Sequence, residues 1–268
     1  MRLKISHTTT YAYDRPVDYA LLQLRLTPRG GVAGQNVLSW STRYEGATLQ
    51  VAYEDHFRNA VEMVQMDDGS QSVSIHCSGE IETEDRTGVV GPGCGLAPLW
   101  LYRQPTKATT AGPVIRKLAA GAKDTLAENA LSGVHDLSDR VAEAVSYAKG
   151  TTHVATSAEE AASAGQGVCQ DHAQILISAA RHLGLPARYV SGYLLLSDRI
   201  DQEAAHGWAE VWLEGLGWVG FDVSNAICPD DRYVRVAVGR DYSEAAPVHG
   251  LRQGGASEEL CVSLQVQQ

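Results

Sequence analysis

The sequence predicts an α+β fold, and three observations carry that prediction. Strand-like alternation runs through roughly the first hundred residues, and apolar residues at helical spacing take over after Pro113. Runs rich in β-branched and aromatic residues return after Gly184-Leu185-Pro186. We therefore divide the chain into a β-rich N-terminal region, residues 1–105, and a core of helices followed by a sheet with a C-terminal β tail, residues 106–268.

The bulk properties set the frame for that division. A chain of 268 residues with 44% hydrophobic content suffices for one large domain or two modest ones. A net charge of −10 without a basic run disfavours nucleic acid and anionic membrane surfaces as partners. Nowhere do about 18 consecutive apolar residues mark a membrane span, and Met1-Arg2-Leu3-Lys4-Ile5-Ser6-His7 is too polar for a secretory leader, so a cytoplasmic protein is expected. Cys77, Cys94, Cys169, Cys228 and Cys261 are odd in number and contain no CxxC pair. That spacing argues against a disulfide framework and against a cysteine-rich zinc module, and it leads us to expect reduced thiols. There is no internal repeat and no low-complexity tract.

In chain order, Leu3, Ile5, His7 and Thr9 alternate as one strand face, and Leu22, Leu24 and Leu26 as another, with Pro16 and Pro28 as punctuation. Val61–Met66 and Gln71–His76 flank Asp67-Asp68-Gly69-Ser70, the signature of a hairpin. From Gly88 to Thr110 five glycines or prolines between Gly91 and Pro98 break the pattern, which reads as a linker or extended loop. Val114, Ile115, Leu118 and Ala119 then share a helix face, and so do Leu137, Val141, Ala144, Val145 and Ala148. Ser157 with Glu160 forms a capping box that opens a short helix through Ala164.

The next stretch, Gly165-Gln166-Gly167-Val168-Cys169, leads into the apolar-periodic run Ile175–Leu183, which ends at Gly184 and Pro186. Cys169 therefore stands in the first turn of a helix. Unpaired N–H groups and the positive end of the helix dipole favour an anion there, so a thiol at this place is a candidate nucleophile. Free cysteine is more often a small core hydrophobe, and the assignment needs a base and a group to orient it.

Downstream residues supply both. His206, Trp208, Glu210 and Trp212 alternate onto one face of a strand, and Trp218, Gly220 and Asp222 share a face of the next. Glu214-Gly215-Leu216-Gly217 reads as the loop between them. A symmetric turn centred between Gly215 and Leu216 puts Asp222 on the face away from His206, so a triad requires an odd-numbered loop or a bulge between residues 206 and 222. In such a triad His206 takes the Cys169 proton and Asp222 fixes the imidazole tautomer. The Cys169 backbone N–H offers one oxyanion donor, and Gln166 and Tyr147 are candidates for the second; Tyr147 is expected at the end of the preceding helix. Trp208, beside His206, is read as core and cleft wall that shields the imidazole.

The ordered stretches Gly167-Val168-Cys169-Gln170-Asp171, Leu185–Tyr193, His206-Gly207-Trp208-Ala209-Glu210-Val211 and Gly217–Asp222 resemble the signatures of bacterial transglutaminase-like proteins, a papain-like cysteine superfamily. His7, Thr9, Tyr11 and Leu22–Arg29 are similar to that family's β-rich N-terminal region, and Val236–Tyr242 with Pro247-Val248-His249-Gly250 to its tail. The resemblance implies a nucleophile helix packed on an antiparallel sheet, a Cys169–His206–Asp222 triad, and no metal or organic cofactor. The chain departs from the family at His206-Gly207-Trp208, where His-Ala-Trp is common, and at Asp222-Val223-Ser224-Asn225, where Asp-Pro-Thr-Asn is common. His172 and Gln174 also replace an expected aromatic residue and a histidine.

His172, three residues from Cys169, is a rival base or half of a metal site, although packing explains a lone helical histidine more simply and no second ligand pair accompanies it. An acyl-thioester on Cys169 can pass to water, giving proteolysis or deamidation, or to an amine, giving transamidation. Hydrolysis of a peptide or protein amide is the preferred outcome, because nothing in the chain suggests a calcium site or a large protein-docking surface. A catalytically silent protein, whose β-rich half binds a partner, is the alternative from another functional class.

Overall fold

Alternation decides the first strand, β1 (Arg2–Tyr13): Leu3, Ile5, His7 and Thr9 are buried while Arg2, Lys4 and Ser6 face solvent. The computed structural model describes every residue except Cys94, Asp198, Arg199, Glu203, Gly255 and Ala256. The expectation for Cys94 thus lies outside the described residues. After β1 come β2 (Tyr19–Leu24), β3 (Gln35–Glu45), β4 (Ala47–Glu54), β5 (Ala60–Met66), β6 (Ser72–Thr83) and β7 (Val89–Gly91). The helical part holds α1 (Pro113–Glu128), α2 (Ala130–Ala144), β8 (Ser146–Tyr147), α3 (Ala158–Ala164), β9 (Gln166–Gly167) and α4 (Cys169–His182). The chain continues with β10 (Ala187–Leu194), β11 (Asp201–Gln202), β12 (His206–Leu213), β13 (Gly217–Phe221), β14 (Tyr233–Gly239), α5 (Tyr242–Ala245), β15 (Val248–Gln253) and β16 (Glu258–Gln267).

Among the described residues three antiparallel sheets result. One has the order β11-β16-β1-β6-β3, a second β15-β2-β5-β4, and the core sheet β14-β10-β12-β13-β7; β8 and β9 form a short parallel pair. The expected hairpin around Asp67–Ser70 is a corner instead. The turn forms, with Ser70 N–H donating to Asp67 C=O, but β5 and β6 belong to different sheets. The same happens at Gly46, the single residue between β3 and β4: its φ is +72°, and a Cβ there would stand 2.4 Å from the Ser72 carbonyl oxygen. Only glycine fits at that corner.

Two further expectations need correction. The Gly88–Thr110 stretch is more than a linker, because β7 pairs with β13 at the edge of the core sheet and Tyr102 is buried against Trp218. Ala148 lies beyond the end of α2, which stops at Ala144. The division at residue 105 is also crossed by strands in both directions: β7 joins the core sheet, while β11, β15 and β16 join the two N-terminal sheets.

Helices α1 to α4 pack on one face of the core sheet through Ile175, Ile177, Ala209, Val211 and Phe221 among others. The other face carries Val190, Trp208 and Trp218, which meet Phe57 and Tyr102. The sheet containing β1 covers two neighbours with one face. Leu3, Ile5 and Ile81 pack on Tyr193, Val234 and Val236 of the core sheet, whereas Tyr13, Val73 and Ile75 pack on Leu22, Leu24 and Val64 of the second sheet. No helix among the described residues is long and apolar enough to cross a membrane.

Candidate active site

Helix α4 begins at Cys169 because the segment before it is clasped. Asp171 folds back so that its Oδ2 accepts from the Val168 N–H at 2.8 Å and from the Thr152 hydroxyl at 2.7 Å. Gly167 leaves room for this, since a Cβ there would stand 2.7 Å from the Asp171 Cβ. The Cys169 N–H lies in the first turn, where no intrahelical carbonyl is available to accept it. The helix ends at His182 with Gly184 at φ +85° just beyond, a C-terminal stop the sequence had signalled.

The loop joining β12 and β13 contains three residues, 214–216, because Leu213 pairs with Gly217 and Trp212 with Trp218. Gly217 thus belongs to the strand and not to the loop. The odd number puts His206, Trp208, Glu210 and Asp222 on one face. His206 Nε2 and Asp222 Oδ2 are 2.5 Å apart, and Cys169 lies close enough to the same imidazole to favour its charged form. With Nε2 taken by the carboxylate, Nδ1 is the nitrogen left for the sulfur.

The electrostatics follow from this chain of bonds. Burial disfavours the His206 charge, yet the hydrogen bond to Asp222 and the neighbouring Cys169 outweigh it, and the imidazole pKa is raised to about 10. Burial likewise opposes the Asp222 charge, but its partners hold the carboxyl below its ordinary range. Besides His206 these are the Tyr233 hydroxyl and the Asn225 amide, each 2.7 Å from Oδ2, and the backbone N–H groups of Ser224 and Asn225 on Oδ1.

Tyr233 and Asn225 carry no role in the sequence reading. Asn225 lay inside a recognised motif and could have been found there; Tyr233 comes from β14, and no local pattern points to it. Ser224 also has a definite task in the departure Asp222-Val223-Ser224-Asn225. Its hydroxyl lies 2.8 Å from His172 Nδ1, while His172 Nε2 lies 2.9 Å from the Val145 carbonyl and must donate to it. Nδ1 then accepts from Ser224. Both ring nitrogens are occupied and burial lowers the His172 pKa, so this histidine is packed and is not a rival base. Among the described residues no group of three or more His, Cys, Asp and Glu is arranged to hold a metal ion.

The remaining sequence candidates separate. Tyr147 is 53% exposed and lines the cleft in front of Cys169, but it sits in β8, paired with Gly167, and not at a helix end. Gln166 is exposed in β9 and does not line the cleft. Trp208 is fully buried, its ring stacked 6.2 Å from that of His206; it is core behind the imidazole and forms no cleft wall. Glu210, next along that face, is neutralised by Arg188, whose Nε donates at 2.6 Å, and by Arg235. Arg188 also stacks 4.0 Å over Trp218. This buried network fixes the strand that begins at His206.

A residue not foreseen in the sequence is Tyr189. It is buried, lines the cleft, and its phenol pKa is driven well up by burial and by the neighbouring Cys169. Its hydroxyl occupies the space over Gly207, where a Cβ would stand 1.9 Å away. The glycine in His206-Gly207-Trp208 is therefore matched to this tyrosine.

Comparison with known proteins agrees with this architecture. Residues 116–223 match the transglutaminase-like superfamily, and residues 3–82 match the bacterial transglutaminase-like N-terminal region. A candidate cysteine protease of Cytophaga hutchinsonii superposes over 100% of this chain and 91% of its own with a TM-score of 0.77, at 21% identity, a likeness of fold. An uncharacterised protein of Mycobacterium leprae is 28% identical over 282 residues, covering 99% of this chain and 98% of its own. One of Mycobacterium bovis is 38% identical over 128 residues, 44% of this chain and 41% of that protein. The chain thus joins a bacterial transglutaminase-like N-terminal region, residues 3–82, to a transglutaminase-like core, residues 116–223.

Proposed function

We propose that the protein is a cysteine-dependent acyl-transfer enzyme that acts on peptide or protein amide bonds through a thioester, with hydrolysis as its main outcome. The observation that supports this reading is the His206–Asp222 hydrogen bond with Cys169 beside the imidazole, Cys169 and His206 both lining an open cleft. With its pKa raised to about 10, His206 is the base that accepts the Cys169 proton. The sulfur attacks the amide carbonyl carbon. As the C–N bond breaks, the nitrogen takes the imidazolium proton and leaves as an amine. A water molecule then gives a proton to the neutral His206, its oxygen attacks the thioester, and the acid departs as the thiolate–imidazolium pair is restored. The Cys169 N–H and Tyr147 are the proposed oxyanion donors.

Cys169 is only half-buried, which gives water a path to the thioester and favours hydrolysis over transamidation. Five cysteines without a CxxC pair are the ground for proposing the cytoplasm as its compartment. Iodoacetamide titration across pH tests the nucleophile: Cys169 should react selectively well below the free-thiol pKa of about 8.5. Equal reaction of Cys77 or Cys228 refutes the reading. Screening peptides and amides for ammonia release and amine incorporation, with Cys169→Ala as control, then identifies the fate of the acyl group.

A further inference from the structure

The cleft in front of Cys169 has a volume of about 950 Å³, large enough for several residues of a bound peptide. Its far wall comes from outside the core sheet. Strands β1 and β16 pair with Tyr11 opposite Leu260 and Thr9 opposite Val262, and all four line the cleft. They do so where their sheet passes from covering the core sheet to covering the second sheet, with Tyr11 packed against the edge of the second cluster. Leu194 at the end of β10, Leu196 just beyond it and Val248 at the start of β15 complete an apolar surface.

The charges around this surface are placed away from it or cancelled. His7 lines the cleft, but its ring nitrogens are held by the Tyr193 and Thr9 hydroxyls at 2.9 and 3.0 Å, and burial lowers its pKa to about 4. Lys149 and Asp201 border the cleft as exposed side chains at its margin, with Asp201 accepting from Gln265 at 2.8 Å. Leu260, at 53% exposure, leaves a large apolar area open in the same cleft as Cys169. An isolated exposed leucine needs no account, but one that continues an apolar cleft wall does.

We propose that β1 and β16 form a substrate subsite that receives an uncharged, apolar side chain flanking the reacting carbonyl. The β-rich N-terminal region and the C-terminal strand together thus select the substrate for the core. This rests on the proposal that Cys169 is the nucleophile. The test compares alkylation of Cys169 in the full chain by N-phenethyl iodoacetamide and by iodoacetamide, read by mass spectrometry and normalised to the same pair of rates with glutathione. The wild-type ratio should exceed that of glutathione by roughly tenfold or more, as expected for burial of an aromatic group. Leu260→Asp should bring the ratio back towards one, Val262→Thr should lower it partly with the strand intact, and Leu38→Asp, an exposed strand leucine away from the cleft, should leave it unchanged. A wild-type ratio equal to that of glutathione, or one indifferent to both cleft variants, overturns the subsite while leaving the nucleophile in place. If neither reagent modifies Cys169, the nucleophile reading fails and the subsite with it.

Discussion

At the scale of single residues the site turns on the carboxylate of Asp222, which receives five donors and gives the imidazole its charge and its orientation. Replacing it by Asn preserves the shape but loses the charge, and the amide can present an N–H to Nε2. In the proposed mechanism Asp222→Asn should lower turnover by about 10³–10⁴-fold with little change in the folded structure, measurable on any substrate the screen identifies. The pair also makes stability depend on pH. A raised His206 pKa contributes stability that is fully present below the unfolded value of about 6.5 and is lost as pH climbs to about 10. The lowered Asp222 pKa contributes stability present above about 3.9 and lost on acidification. The difference in Tm between wild type and His206→Gln should therefore be largest between about pH 4 and 6.5 and shrink steadily towards pH 10. A difference that is flat across this range excludes the coupling.

At the scale of elements, what was legible in the sequence was whatever is decided locally. The capping box at Ser157 and Glu160, the start of α4 at Cys169 and its stop before Gly184 all rest on residues within one or two turns of each other. The need for an odd loop between His206 and Asp222 was likewise readable, because face alternation is a matter of counting. Pairing between distant segments was not. Asp67–Ser70 has hairpin chemistry, yet the partner of each flanking strand lies elsewhere in the chain, so the turn serves as a corner between sheets. The fit between β10 and β12 is another non-local fact: Tyr189 and Gly207 are complementary, and neither residue alone announces it. Gly207→Ala should overpack this contact and cost about 1–3 kcal/mol by chemical denaturation, and it should cost less in a Tyr189→Phe background, where the hydroxyl is gone. Strict additivity of the two substitutions would show that the contact is not the cause.

At the scale of the whole molecule the sequence order and the spatial order diverge. The sequence separates a β-rich half from a helical half, but β15 and β16 return to the first two sheets, and β7 leaves the first half to edge the core sheet. Sheet membership of this kind depends on long-range pairing, which composition and periodicity do not encode. It has a consequence for truncation. Ending the chain before Val248 removes β15 and β16, opens the edges of β1 and β2, and uncovers Leu3 and Ile5 on one side. Such a chain should associate, since an unpaired strand edge invites pairing with another copy. Light scattering should detect larger species, and a lower Tm should accompany them; a monomer with the wild-type Tm would mean that the returning strands are dispensable.

The pairing of β1 with β16 also sets a schedule. A ribosome delivers β1 before the core and delivers β16 after it, so the growing chain holds Cys169, His206 and Asp222 while β1 still lacks a neighbour on one side. β11, just upstream of His206, must also wait for β16 before its own pairing can form. Pairing of β16 with β1 is thus a late event in synthesis, and the cleft in front of Cys169 acquires its far wall only after the core sheet has been made.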